Sequence, residues 1–257
     1  MPGRNRVING DFRVNQRGYT SGSALAVGAF GFDRWKANSA SASLTFTSTP
    51  QGQMLQIDGF FQQVIERAEL PAGTYTLSWD GNAGGRIYRS GDSQPSVAYG
   101  QITFDNDGTT DVIVEFSGSA QSLGNVQLEL GRVATAFEQE SLALQLAKCK
   151  RYYQRLGTGT AGREPVGMGI GSAITAGFVM RALSREMRAT PPLTVTSGTT
   201  FRINVGGTIV APTAISLDAT STARSARLSI STASGLTAGG ALYLDTGDGY
   251  LEFSAEL

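Results

Sequence analysis

The sequence predicts an all-β protein: two β-sandwich (jelly-roll-like) domains joined by one short α-helix. Three observations predict it. Apolar and polar residues alternate in short runs along most of the chain, as strands buried on one face require. Turn-forming residues punctuate those runs, with 33 glycines among 257 residues and frequent Ser and Thr. Between residues 138 and 156 neither Gly nor Pro occurs, and the periodicity becomes helical.

The first domain is expected over residues 1–137. Tyr75, Leu77 and Trp79 share one face of a strand, as do Val112, Val114 and Phe116, and then Val126, Leu128 and Leu130. Turns are expected at Pro71-Ala72-Gly73, Gly84-Gly85, Asp107-Gly108 and Leu123-Gly124. Residues 138–157 form the expected helical linker. Leu142, Leu146, Cys149, Tyr153 and Leu156 step by four, three, four and three, which places them on one helical seam. Gly157 supplies a stop. So short a helix is marginal alone in water, and its seam needs a partner: the flanking domains or copies of itself. Leu144 lies off the seam and implies a second contact.

Residues 158–257 return to β pattern as the expected C-terminal domain. Phe201, Ile203 and Val205 alternate with polar neighbours, as do Leu228 and Ile230, Leu242 and Leu244, and Leu251 and Phe253. Val166, Met168 and Ile170 alternate with Gly167, Gly169 and Gly171, leaving a bare strand face that suits close backbone approach or a loose glycine loop. Ala182 to Met187 is expected to make a short helical turn before Pro191-Pro192.

Composition narrows the function. Hydrophobic residues make up 40%, enough for a packed core, and charged residues only 16%. Twenty-one basic residues balance 21 acidic ones, so no general attraction to nucleic acid or to an anionic membrane is expected. No apolar run reaches membrane-spanning length, and the polar N-terminal stretch lacks a signal peptide's apolar core, so no membrane insertion and a cytosolic origin are expected. The single Cys149 rules out an internal disulfide. The absence of His excludes Ser-His-Asp and Cys-His catalysis and His-dependent zinc sites. No catalytic residue, metal site or cofactor is assigned.

Trp35, Tyr243 and Tyr250 are the candidate glycan contacts, because an exposed aromatic face can cover the apolar C–H face of a sugar ring. Each has a plainer alternative: sandwich core for Trp35, a subunit interface for the tyrosines. Trp79, in phase with Tyr75 and Leu77, reads as core. Asp105-Asn106-Asp107-Gly108 lacks the later ligands of a calcium loop and reads as a hairpin turn, as does Asp245-Thr246-Gly247-Asp248-Gly249. The glycine-rich run at residues 157–162 follows a helix rather than a strand, which excludes a dinucleotide loop. Arg181, Arg185 and Arg188 read as a solvated basic face.

Asn9-Gly10-Asp11-Phe12-Arg13-Val14-Asn15-Gln16-Arg17-Gly18, followed by Asp33-Arg34-Trp35, resembles the opening of many bacteriophage and prophage tail-fibre proteins. The resemblance continues through Val126-Gln127-Leu128-Glu129-Leu130-Gly131 and Ala134-Thr135-Ala136-Phe137-Glu138 to Cys149-Lys150-Arg151-Tyr152-Tyr153, where Lys150 replaces the family's Gln. It covers about the first 155 residues and is looser beyond, through Met187-Arg188-Ala189-Thr190-Pro191 and the ending Ala255-Glu256-Leu257.

This resemblance implies a carbohydrate-binding-like sandwich, virion-proximal by default, then a helix and a β-rich tip, assembled as a homotrimer with the helical seam on its axis. It implies a virion protein, assembled in the host cytoplasm, that contacts other tail or capsid proteins and bacterial surface polysaccharide. A capsid, collar or decoration fibre without a receptor role is the alternative. A polysaccharide depolymerase is a third reading, disfavoured by the short chain and the lack of β-helix repeats.

Overall fold

The structure, a computed structural model, describes residues 4–39, 41–157, 164–195, 201–247 and 249–257. The chain is predominantly β-sheet and, among the described residues, has one α-helix. It divides into two compact units, one reaching Cys149 and including Leu257, the other Lys150–Glu256.

The first unit contains β1 (Ala24–Leu25), β2 (Lys36–Ala37), β3 (Ala42–Thr49), β4 (Gly52–Ile65), β5 (Gly73–Gly81), β6 (Gly84–Arg89), β7 (Gln101–Asn106), β8 (Val112–Leu130) and α1 (Leu142–Cys149). Its eight strands form one antiparallel sheet of order β1-β3-β4-β8-β5-β7, with β2 also on β4 and β6 also on β8. The first half of β8 lies between β4 and β6, and the second half pairs with β5. One core results, holding Trp35, Phe61, Tyr75, Leu77, Trp79, Val112, Val114, Phe116, Val126 and Leu128. The predicted alternation therefore points inward, except that Leu130 is exposed.

Two expected turns are absent. Gly84-Gly85 begins β6, and Leu123-Gly124 lies inside the 19-residue β8. Bulges account for the second difference. Ala120 (φ 65°) has no partner between the pairs Ile57–Gln121 and Asp58–Ser119, and Asn125 (φ 48°) lies where the β5–β8 register slips. The strand bends there without ending.

The helix is shorter than expected. It stops at Cys149, and Tyr153–Leu156 is instead a strand, β9, of the second unit. The five seam residues do not share a helix face. Gln145 and Cys149 face inward, Leu142 is 51% exposed, Leu146 is half-buried, and Tyr153 is buried within β9. Within the first unit, Gln145 Oε1 accepts the Asn9 N–H at 2.8 Å. The Tyr-rich continuation, of high β propensity, pairs from Tyr153 to Leu156 with Ser254 to Leu251.

The second unit continues with β10 (Pro165–Ala173), β11 (Ala176–Ala182), β12 (Leu193–Val195), β13 (Arg202–Val205), β14 (Thr208–Val210), β15 (Pro212–Leu217), β16 (Ser225–Thr232), β17 (Ala241–Asp245) and β18 (Leu251–Ser254). A seven-stranded sheet runs β14-β13-β17-β10-β11-β16-β15, and a three-stranded one runs β12-β18-β9. Phe201, Ile203, Leu228, Ile230, Leu242, Leu244, Leu251 and Phe253 share its core. In β10 a register irregularity between Pro165 and Gly167 buries Val166 and turns Met168 and Ile170 outward. The glycine side of that strand lies against β11, where a Cβ on Gly169 would overlap the Phe178 carbonyl. Ala182 to Met187 is not helical: Leu183 and Met187 donate backbone N–H bonds to Arg224 and Ala223.

Candidate functional site

The structure separates the three aromatic candidates. Trp35 is 1% exposed and packs on Phe12 and Phe116, so it is core, not a sugar platform. Its indole Nε1 donates to the Asn9 carbonyl at 3.0 Å, the partner a buried Trp requires. Tyr250 is half-buried, with the Arg155 guanidinium 3.6 Å from its ring centroid, so a cation of the same unit already occupies one face. Tyr243 is half-buried on the outer face of the seven-stranded sheet, between Asn204 and Met168. These residues do not converge on one site.

The motif blocks do converge, but on a buried network. Asn9 adopts φ 59° and bonds through its side chain to three backbone groups: it donates to the carbonyls of Val14 (2.8 Å) and Asp33 (3.1 Å) and accepts from the Val14 N–H (2.9 Å). Gly10 is required for contact: a Cβ there would overlap the Val126 carbonyl. Asp33 accepts the Gln16 backbone N–H at 3.0 Å and the Gln16 side-chain amide. Gln145 Nε2 donates to Glu140, which also accepts from Lys148 at 2.6 Å.

The later blocks make a second knot. Glu129 accepts the Thr135 N–H and hydroxyl, both at 2.8 Å, and Gln127 Oε1 accepts the Glu138 N–H at 2.8 Å. Burial alone would push the Glu129 carboxyl up. The Thr135 and Gln127 hydrogen bonds and the nearby Arg4 outweigh it and hold the carboxyl below its ordinary value. Asn9, Asp33, Gln127, Glu129, Glu140 and Gln145 all bond other groups of the chain, which describes scaffolding rather than a ligand site.

The acidic turn also has an internal role. Asp107 accepts both the N–H and the hydroxyl of Thr109 and pairs with Arg89. Asp245 accepts the Gly247 N–H, while Asp248 lies outside the described residues, as do residues 158–162 of the glycine-rich run. The three arginines are dispersed: Arg181 donates to the carbonyls of Pro165 and Val166, Arg188 donates to that of Ala255, and Arg185 is exposed.

An open cleft of about 320 Å³ lies elsewhere on the first unit, lined by Phe60, Asn82, Gly84, Tyr99, Ser117, Gly118 and Gln121. Its floor follows from strand register: Phe60 pairs with Ser117 and Ser117 with Gly84, so one row crosses β4, β8 and β6 from an aromatic ring to a glycine against which Val97 packs. Phe61, the next residue, points into the core. One wall is Tyr99, 70% exposed. Its neighbour Ala98 exchanges two backbone hydrogen bonds of 2.8 Å with Gly85, which places the backbone from which the ring projects. Opposite are two amides whose oxygens are engaged. Asn82 Oδ1 accepts from the Ser122 N–H (2.7 Å) and hydroxyl (2.9 Å), and Gln121 Oε1 accepts the Ser119 N–H. Both NH2 groups are left for a ligand.

Beside Phe60, on the same sheet face, stands a charged support. Arg86 lies 5.4 Å from the Phe60 centroid, donates to buried Glu115 at 2.6 Å and to Gln94 at 2.8 Å, and Asn38 donates to the other Glu115 oxygen at 2.6 Å. Sequence inspection missed Phe60, Asn82, Tyr99 and Gln121. One signal was present: the Phe60-Phe61 doublet within a strand must turn one ring outward.

Fold and cleft define a β-sheet protein with a small, open, aromatic-walled polar recess. No family model and no curated protein matches the chain. Among solved structures, it is similar to a cycloisomaltooligosaccharide glucanotransferase from Paenibacillus sp. complexed with cycloisomaltoheptaose, at 8% identity and a TM-score of 0.22 over 93% of this chain. The chain spans about half (47%) of that protein's length, and at this TM-score the likeness carries no argument.

Proposed function

We propose that the protein is a virion structural protein of the tail-fibre or tail-tip type that recognises bacterial surface polysaccharide, with the cleft beside Tyr99 as a sugar-binding recess. The observation that carries the binding role is the exposed Tyr99 ring lining the same cleft as the Asn82 and Gln121 amides. Aromatic faces cover the C–H surface of a pyranose while amides bond its hydroxyls. The virion assignment rests on the motif resemblance. The role is binding rather than catalytic, since no carboxylate lines the recess to serve as acid or base.

The proposal includes two jelly-roll-like sandwiches, the first virion-proximal, and a homotrimer. Three copies would convert weak sugar contacts into useful avidity. Because α1 ends at Cys149, the proposed trimer does not rest on a continuous Leu142–Leu156 seam. The test is binding of the purified protein to host cells and their extracted polysaccharide, alongside light scattering. Retention on the polysaccharide and a mass three times the 27.0 kDa chain are expected. Failure to bind either host cells or their polysaccharide would remove the receptor role and favour a capsid, collar or decoration fibre.

A further inference from the structure

The cleft's charge pattern specifies more than sugar in general. Every residue that lines it is uncharged. Arg86, beside Phe60 on the same sheet face as Gly84, is committed: Nε and Nη2 reach Glu115 and Gln94, and Nη1 lies 3.5 Å from the Pro95 carbonyl. Its charge is compensated by Glu115, which is 1% exposed. The next residue on the Phe60 face of β4 is Asp58, exposed and acidic. A carboxylate entering the cleft would lose hydration with no lining cation to receive it. A hydroxyl or acetamido oxygen needs only an N–H donor, which Asn82 and Gln121 offer.

We infer that the cleft selects an uncharged pyranose, a hexose or N-acetylhexosamine unit stacked on Tyr99, and discriminates against uronates and sialates. This rests on the sugar-binding reading of the same cleft. Recognition is then non-ionic, so it persists at high salt, unlike binding through basic residues.

The test uses the full chain on immobilised dextran, galactan and chitooligosaccharide, with polygalacturonate and polysialate as the acidic arm, at low and high salt. The expected result is salt-insensitive binding to a neutral glycan that weakens about 10-fold or more in Tyr99→Ala and is partly retained in Tyr99→Phe, with unchanged melting. Preference for an acidic glycan that still depends on Tyr99 overturns the inference and leaves the sugar-binding reading standing. Neutral-glycan binding that survives Tyr99→Ala also overturns it. No Tyr99-dependent binding to any glycan overturns both. Comparing hexose with N-acetylhexosamine ligands identifies which neutral unit the amides accept.

Discussion

The buried network around Asn9 and the open cleft beside Tyr99 belong to the same unit and are built by opposite means. In the network, side chains bond the backbone at nearly every step, and left-handed residues such as Asn9, Phe12 and Arg34 are held by their surroundings. In the cleft, backbone pairing fixes the frame, and side chains keep hydrogen-bonding capacity unspent. The difference teaches that the most recognisable residues in this chain serve architecture, while the residues equipped for a ligand lie between the motif blocks and carry no motif.

The sharpest way to break this comparison is to damage the scaffold. Trp35→Ala removes a buried ring and its indole hydrogen bond, and is expected to cost about 4 kcal/mol in denaturant unfolding. Asn9→Ala loses three hydrogen bonds and places alanine at φ 59°, an expected loss of about 3 kcal/mol. In both variants the fraction that remains folded should bind with native affinity. Altered affinity in that fraction would show that network and cleft are coupled.

Acid titration probes the second knot. The folded Glu129 carboxyl sits below its ordinary 4.5, so its contribution is present above that value and is lost as pH falls through the folded value. Glu129→Gln should flatten the acid limb of a stability–pH curve. The tyrosines Tyr75 and Tyr88 have the opposite sign: burial raises both, so they favour the fold below their ordinary 10.0, and that contribution is lost as pH rises beyond it. The smallest expected stability effect is at the cleft, where Tyr99→Ala should change unfolding by less than about 0.5 kcal/mol. A larger loss would place Tyr99 with the scaffold.

Alternation identified the strands and inward faces that rest on it, such as Tyr75 and Leu77 or Leu228 and Ile230. It overstated the helix, because heptad spacing cannot report that Tyr153 finds a better partner in Ser254 across β18. It split β8, because a glycine inside a bulged strand resembles one in a turn. The cleft escaped notice because it depends on which outward faces of β4, β6 and β8 become neighbours, a property of register rather than of any local run.

The pairing of Gly85 with Ala98 has an evolutionary consequence. The peptide groups that place the Tyr99 wall do not specify the side chains beside them. Substitution of Tyr99 can therefore change what the wall presents while its location is inherited. Such a position is a replaceable facing on a frame set by backbone pairing, and it is where variants with altered preference should accumulate.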